Sequence, residues 1–301
     1  MSGGKVRKAV IPAAGFGTRM LPFTKAVPKE LIPLVDKPVL QYVAEEAVAA
    51  GAEEILIIIS SGKEAIRRHF MPAPELEHRL ETSGKRALLE EMEKLDALAD
   101  IRYVYQEELD GLGGAVALAA DFAGGEPVLV LLGDTVMERP VAVQLAEVYR
   151  RYPSSVIALE TVPPERVSSY GIAAGNEIEE GVFALTDLVE KPAPEQAPGN
   201  NAVAARYLLT PAIFPLLAEG VRGVNNEIQL TDAVRRLMDR EPVYGCRIAG
   251  KRFDLGNPVG FIAANVEFAL RRPELQDVLG RRIMDILKEN HLVERLSCSA
   301  K

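Results

Sequence analysis

The chain has 301 residues, of which 48% are hydrophobic and 26% charged, and its formal net charge is −8. This composition is typical of a globular protein with a large core, in one large domain or two, and it argues against disorder. The acidic balance argues against non-specific nucleic-acid or anionic-membrane partners, because both need a dense basic surface. Apolar runs too short for a bilayer and an N-terminus without a signal-peptide core lead us to expect a cytoplasmic protein.

The first predicted element is a buried strand over residues 8–12, followed by a segment that favours phosphate binding. Gly15 and Gly17 allow the backbone to approach an anion, and Arg19 supplies a guanidinium fork that matches phosphate oxygens. The segment fits neither the dinucleotide fingerprint nor the Walker loop. The alternative is a Gly/Pro-rich surface turn with scattered charges.

Four prolines shape this loop, and they stand at positions 12, 22, 28 and 33. They argue against a helix directly after the glycines, because proline lacks the N–H that a helix interior needs. We therefore expect the loop to stay extended, so that Lys25 and Lys29 come back over the same ligand.

Helices and apolar strands then alternate, which predicts a parallel sheet with right-handed crossovers. The predicted elements are a helix from 36–38 to Gly51, a strand at 55–60, at least two helices within 63–100, a strand at 101–106, a helix from 113 and a strand at 128–134.

After residue 141 the pattern changes toward shorter strands, which predicts antiparallel structure. The elements are a helix at 141–151, strands at 155–162, 170–174 and 182–190, a turn at 175–181, a strand at 205–209, a helix at 211–218, a strand at 242–248 and a helix at 258–270. We predict an α/β, Rossmann-like doubly wound, mixed but mostly parallel sheet with helices on both faces, a small antiparallel insertion and a C-terminal helical tail.

Two carboxylates follow predicted strands, where ligands bind in open α/β sheets. Asp134 ends one apolar run and Asp254 follows another strand. If they converge, they make a hard-oxygen site of the kind that holds Mg²⁺ together with substrate phosphates. The alternatives are a helix N-cap for Asp134 and an Asx turn for Asp254.

Two further pairs suit a sugar phosphate and a base. Glu190 and Lys191 place an acceptor and a cation at a strand end, although a solvated ion pair is the alternative. Gln106 with Gly111 offers a side-chain amide beside exposed backbone, which can read a base edge, although Gly111 equally fits a flexible turn.

The three histidines and two cysteines are scattered and suggest no Ser/His/Asp or Cys/His nucleophile. A phosphate monoester carries enough negative charge at neutral pH to attack phosphorus without a general base. Such chemistry needs positioning, cations and a metal, which are the features that this sequence offers.

The chain resembles the bacterial UTP:glucose-1-phosphate uridylyltransferases of the sugar-nucleotidyltransferase group. The resemblance runs in family order from residue 9 to about 270 through AAGFGTRMLPFTKAVPKELIPLVDKPVLQYV, ELEHRLETSGKRALLEEM, QEELDGLGGAV, GDTVM, VEKP, ARYLLTP, NNEIQLTDAV and GKRFDLGNPVGF. It implies a catalytic domain over 1–270, with the antiparallel insertion binding the sugar, and a helical extension over 271–301 that serves oligomerisation.

The resemblance also implies roles for residues. They are Arg19, Lys29 and Lys191 for catalysis; Ala14, Gly15, Gly17, Thr18, Gln106 and Gly111 for the nucleotide; Tyr170, Gly171 and Glu190 for the sugar; and Asp134 and Asp254 for Mg²⁺. Arg19 is expected to hold the departing pyrophosphate, Lys29 to neutralise charge around the α-phosphate, and Lys191 to take the sugar phosphate.

The implied reaction forms UDP-glucose and pyrophosphate from UTP and glucose 1-phosphate, with Mg²⁺ as cofactor, in a homodimer or homotetramer that binds neither nucleic acid nor membrane. Gly114, Gly133 and Ala205 depart from the family's usual histidine, proline and glycine, and they bear on base and sugar preference. The alternatives are the same chemistry with dTTP or another hexose 1-phosphate, and a catalytically silent binder of nucleotide sugars.

Overall fold

The computed structural model describes residues 5–292, and its elements follow the predicted chain order. The strands are β1 (Lys8–Pro12), β2 (Pro33–Leu34), β3 (Lys37–Pro38), β4 (Glu54–Ile59), β5 (Asp100–Tyr105), β6 (Val128–Leu131), β7 (Thr135–Met137), β8 (Val156–Thr161), β9 (Gly171–Glu179), β10 (Val182–Glu190), β11 (Asn201–Leu209), β12 (Tyr244–Arg247) and β13 (Arg252–Asp254). The α-helices are α1 (Val39–Ala49), α2 (Glu64–His69), α3 (Pro74–Thr82), α4 (Arg86–Asp96), α5 (Leu112–Ala117), α6 (Ala120–Ala123), α7 (Val141–Arg151), α8 (Ile213–Ala218), α9 (Leu230–Leu237), α10 (Pro258–Leu270) and α11 (Pro273–Glu289).

The main sheet is mixed, with the strand order β5-β4-β1-β6-β11-β8-β12-β10-β9. Strands β5, β4, β1 and β6 are parallel to one another. Strand β11 is antiparallel to β6 and β8, and β10 is antiparallel to β9 and β12. The mixed sheet is therefore as predicted, with parallel strands in the first half of the chain and antiparallel structure after residue 141. The expectation that the sheet is mostly parallel is wrong, because β11 also enters the main sheet antiparallel to β6 and β8.

Strand β1 marks the point where the strand order reverses. The chain passes from β1 outward to β4 and β5, and then returns to place β6 on the other side of β1. In open α/β sheets the crevice at such a point, beyond the carboxyl ends of the strands, is where ligands bind. The loops after β1 and β6 both open into this crevice.

Helices cover both faces of the sheet, as predicted. Successive β1 residues point to opposite faces, so Ile11 packs in one core with residues of α1 and α7, whereas Val10 packs in a second core with residues of α5, α8 and α9. Both side chains are fully buried. Within residues 5–292, no helix combines the length and apolar character needed to cross a membrane.

The turn predicted at 175–181 is wrong, because β9 continues to Glu179 and the hairpin turns only at 180–181. Gly175 lies inside the strand, where a Cβ would be 2.5 Å from the carbonyl oxygen of Ala184. The β9–β10 register shifts between Leu185 and Asp187. This glycine therefore marks a close approach at a bulge, which sequence reading takes for a turn.

A buried ion pair ties the sheet to the crevice. Arg206 on β11 is completely buried, and its Nη2 donates to Glu46 Oε2 at 2.7 Å and to the carbonyl of Thr135 at 2.8 Å. Glu46 on α1 also accepts a hydrogen bond from the N–H of Ala142 at 3.0 Å. One guanidinium thus holds β11, α1 and the start of β7 in a fixed relation, next to Asp134.

Candidate active site

The glycine loop is folded by three short 3-10 turns, Thr18–Met20, Phe23–Lys25 and Lys29–Leu31. Between β1 and α1 no α-helix forms, as the prolines predict, but the expectation of an extended loop is wrong. Gly17 has φ 69°, and a Cβ there would lie 3.0 Å from Lys29 Cβ, so this position needs glycine for both its backbone and its surroundings. The Thr24 hydroxyl donates to the Gly17 carbonyl at 2.9 Å and fixes the turn.

Lys29 meets Asp134 across the crevice, with 2.6 Å between Nζ and Oδ2. Burial lowers the pKa of Lys29, but the Asp134 and Glu30 carboxylates outweigh it, so the net shift is upward. Burial raises the pKa of Asp134, but the positive charge and hydrogen bond of Lys29 lower it by more, so the net shift of this pKa is downward. Both groups are therefore charged at neutral pH. The Lys29 ammonium lies beside Gly15, with Nζ 3.8 Å from the position that a Cβ on this residue would occupy.

Asp254 is brought to the Asp134 side of the crevice because β13 pairs with β7 and places Asp254 opposite Thr135, the residue that follows Asp134. Its Oδ2 is 3.5 Å from Arg19 Nη1, and its Oδ1 accepts the N–H of Gly256 at 2.9 Å. The Asx-turn alternative is therefore correct for one oxygen of Asp254. The N-cap alternative for Asp134 is wrong, since a strand follows it.

The two neighbouring aspartates fit the donor set of Mg²⁺. They supply only hard carboxylate oxygens, and Asp134 Oδ1 has a single long contact, 3.3 Å to the Thr135 hydroxyl. Among the described residues no group of three or more His, Cys, Asp or Glu side chains is placed to hold a metal. A site with two carboxylates suits Mg²⁺, which completes its shell with water and substrate phosphates.

Four of the six residues predicted to bind the nucleotide line a cleft of about 260 Å³ at the strand-order reversal, and Gly17 and Thr18 do not. Ala14, Gly15, Lys29, Gln106, Gly111 and Asp134 all contribute to its wall. Gly111 has φ 103°, and a Cβ there would be 2.8 Å from the Ile228 carbonyl oxygen, so the predicted flexible turn is in fact a tightly packed one. Gly17, Thr18 and Arg19 lie further along the same loop.

The three residues expected to bind the sugar, Tyr170, Gly171 and Glu190, lie together with Lys191 where β9 begins and β10 ends. Gly171 pairs with Glu190, and Lys191 donates its N–H to the carbonyl of Tyr170 at 3.0 Å. Lys191 Nζ is 3.6 Å from Glu190 Oε1, so the ion pair offered as an alternative is present. Thr231, which the sequence does not single out, donates to Glu190 Oε2 at 2.7 Å and thereby fixes this carboxylate.

Lys63 and Glu30 form an ion pair under the glycine loop that the sequence does not predict. Lys63 Nζ donates to the carbonyls of Ala13 and Gly15, each at 2.6 Å, and to both Glu30 oxygens at 2.9 and 2.8 Å. Burial lowers the pKa of Lys63 and raises the pKa of Glu30. A single ammonium thus ties down the backbone of the glycine loop. Nothing in the polar stretch around Lys63 signals this role.

The structure bears differently on two of the three family departures. Ala205 stands at a register shift of β11 with φ 58°, a left-handed conformation that favours the family's glycine, so nothing in the structure explains the alanine. At Gly133 a Cβ would lie 3.2 Å from the Pro12 carbonyl oxygen, so the position is close-packed under the loop. Neither residue lines the cleft.

Comparisons with known proteins agree with this geometry. Residues 8–270 match the family described as nucleotidyl transferase. The UTP–glucose-1-phosphate uridylyltransferase of Bacillus subtilis (strain 168) is 48% identical over 277 residues, which cover 91% of this chain and 95% of that protein.

Two solved structures superpose over most of the chain. A UDP-glucose pyrophosphorylase complexed with UDP-glucose has a TM-score of 0.81 and 39% identity, covering 89% of this chain and 100% of that one. A UTP-bound UGPase from Acinetobacter baumannii has a TM-score of 0.84 and 35% identity, covering 93% of this chain and 99% of that one. Sequence and fold thus agree over nearly the whole length, and the chain belongs to the nucleotidyl transferase family.

Proposed function

We propose that the protein is a UTP:glucose-1-phosphate uridylyltransferase, which joins UMP from UTP to glucose 1-phosphate and releases pyrophosphate. The observation that carries the proposal is the Lys29–Asp134 pair at the strand-order reversal, in the same cleft as Gln106. The relatives described above carry the same activity in their names.

The reaction is an in-line substitution at the α-phosphorus of UTP. A phosphate oxygen of glucose 1-phosphate forms the new bond, while the bond from the α-phosphorus to the oxygen that bridges to the β-phosphorus breaks. The electron pair leaves with pyrophosphate, and no proton has to move. Catalysis then depends on alignment and on stabilising negative charge, which accounts for a site without a general base.

The cations of the glycine loop are assigned to the phosphates. Lys29 is held beside Gly15 and neutralises charge at the α-phosphate, and Arg19, further along the loop, takes the departing pyrophosphate. Asp134 and Asp254 would hold Mg²⁺, which supplies additional positive charge to the transferring phosphoryl group when it is bound. Asp134 also keeps Lys29 charged and oriented.

Each half of the sheet binds one of the two substrates in this proposal. We assign the nucleotide to the Rossmann-like parallel half, with Gln106 and Gly111 reading uracil. Tyr170, Gly171 and Glu190 are assigned to the sugar, and Lys191 to its phosphate. The pairing of Gly171 with Glu190 supports the second assignment, because it brings backbone and carboxylate to one point.

Pyrophosphate release tests the proposal. We expect turnover of UTP with glucose 1-phosphate in the presence of Mg²⁺, and a matrix of nucleotides and hexose 1-phosphates should give its highest kcat/KM for that pair. A higher value for dTTP or another sugar would reassign the substrate. Binding of nucleotide sugar without turnover of any pair would instead support a catalytically silent protein.

We also propose that residues 1–270 form the catalytic domain and that 271–301 extend it for self-association. Helix α11 has no buried residue, and its apolar stripe is Leu275, Val278, Leu279, Ile283, Ile286 and Leu287. Val278 is 66% exposed. Residues 293–301, including Cys298, lie outside the described part of the chain.

Substituting one residue of this stripe tests the oligomer. We expect Val278→Glu to shift the full-length protein to a smaller species on gel filtration, because a charge in an apolar interface is left unpaired. Met284→Glu introduces the same charge at an exposed position on the opposite face of the helix, and it should leave the elution volume unchanged. An unaltered oligomer in Val278→Glu and in a chain truncated after Leu270 would contradict the proposal.

A further inference from the structure

The side-chain amide of Gln106 is held in one orientation by two acceptors. Its Nε2 donates to Asp110 Oδ1 at 2.9 Å and to the carbonyl of Gly111 at 3.4 Å. An ionised carboxylate and a backbone carbonyl can only accept hydrogen bonds. The NH₂ end of the amide therefore faces the loop, and its Oε1 faces the other way.

Gly114 provides the space for this arrangement. A Cβ at position 114 would lie 1.9 Å from Asp110 Oδ1 and 2.7 Å from Oδ2. Both distances are far below van der Waals contact, so any other residue there displaces the Asp110 carboxylate. Position 114 is also where this chain departs from the family's usual histidine.

The backbone of the loop is fixed independently of the Asp110 side chain. The carbonyl of Asp110 accepts the N–H of Ile228 at 2.7 Å, and the N–H of Gly113 donates to the Ile228 carbonyl at 2.8 Å. The carboxylate can therefore be altered while these two backbone hydrogen bonds keep the loop in place. Its role can be tested separately from loop folding.

We propose that Asp110, in the space left by Gly114, sets which pyrimidine the cleft accepts by fixing the amide of Gln106. This inference rests on the proposed function, in which Gln106 faces the base. An amide that presents only Oε1 needs a base with a hydrogen on ring nitrogen N3. Uracil and thymine have that N–H, whereas cytosine has an acceptor lone pair at N3, so an Oε1 aimed at N3 faces a lone pair instead of a donor.

Asp110→Asn keeps the shape of the side chain at position 110 but allows the Gln106 amide to turn over and exchange the positions of its NH₂ and Oε1. In Asp110→Asn the new amide can donate to Gln106, whose NH₂ then becomes free for the N3 lone pair of cytosine. We expect the ratio of UTP affinity to CTP affinity to fall about 10-fold, by analogy with the loss of one charge-assisted hydrogen bond. The ratio of UTP to dTTP affinity should not change, because both bases carry the N3 hydrogen.

The experiment is calorimetric titration of the full-length protein with UTP, CTP and dTTP separately. Gly114→Ala should lower the UTP/CTP ratio in the same way, because its Cβ displaces the carboxylate without changing any charge. The matched control is Glu108→Gln, which removes a charge from an exposed position of the same loop.

Three outcomes would overturn the role of Asp110. They are equal affinity of the unaltered protein for UTP and CTP, a UTP/CTP ratio that stays within about two-fold in both variants, and a parallel loss for all three nucleotides, which indicates only disruption of the loop. Affinity is measured without turnover, so failure of the uridylyltransferase proposal is seen separately, as absent pyrophosphate release.

Discussion

Replacing Asp134 by asparagine is expected to lower kcat by about 10²–10³-fold with little effect on folding, the range seen when one group that stabilises transition-state charge is removed. The substitution keeps the shape of the side chain but removes the negative charge that Lys29 contacts at 2.6 Å. It also removes one of the two carboxylates proposed for Mg²⁺. The measurement is steady-state pyrophosphate release at saturating UTP and glucose 1-phosphate.

The control for this variant is Asp121→Asn, which makes the same chemical change at an exposed position. Its rate should equal that of the unaltered protein. Circular dichroism at the assay temperature should show the same native spectrum for all three proteins, although Asp134→Asn should melt at a lower temperature because the largely buried Lys29 loses its charged partner. A rate for Asp134→Asn close to the unaltered rate would show that the charge of Asp134 serves neither Lys29 nor a metal in turnover.

Replacing Lys63 by methionine is expected to have the largest effect on stability. Glu30 is 1% exposed, and without Lys63 it becomes a buried charge that has lost the ammonium contacting both its oxygens. Removing one partner of such a pair typically costs about 3–5 kcal/mol in the free energy of unfolding. The carbonyls of Ala13 and Gly15 lose their shared donor at the same time, so we also expect kcat/KM to fall about 10²-fold through misplacement of the loop.

A double variant separates these two effects. Glu30→Gln combined with Lys63→Met removes both charges, so most of the lost stability should return while activity stays low. Denaturant unfolding and pyrophosphate release give the two readouts. Lys85→Met, at an exposed lysine, is the control for side-chain loss. Recovery of activity together with stability would mean that Lys63 contributes to folding alone.

Elements with a strong local signal are predicted to the residue. Strand β1, helix α7 and helix α10 have the predicted bounds of 8–12, 141–151 and 258–270. Each is an apolar segment with proline or charged residues at its ends, and α7 also has a clear helical hydrophobic period. The sequence predicts antiparallel structure after residue 141, but the position of β11 between β6 and β8 could not be predicted, since it depends on which distant strands pair rather than on any one segment.

The residues of the site show the same difference between local sequence signals and long-range contacts. Residues whose chemistry is visible in the sequence, such as Lys29 and Asp134, are found together, because Lys29 lies in the loop after β1 and Asp134 follows β6, the strand next to β1. Lys63 and Thr231 escape prediction because their roles consist of contacts to distant backbone or side chains. A lysine in a polar stretch of sequence is normally predicted to be exposed to solvent, and only the fold shows that it is buried.

The Arg206–Glu46 pair has a consequence for how related sequences can diverge. Because the guanidinium holds the Thr135 carbonyl and is completely buried, neither partner can be exchanged alone without leaving an isolated charge beside Asp134. Change at these positions is therefore expected to occur jointly in any lineage, as a correlated substitution. Through this coupling, the residue in the middle of β11 restricts which sequences can keep the Asp134 carboxylate in place. Arg206 has this effect although it is completely buried.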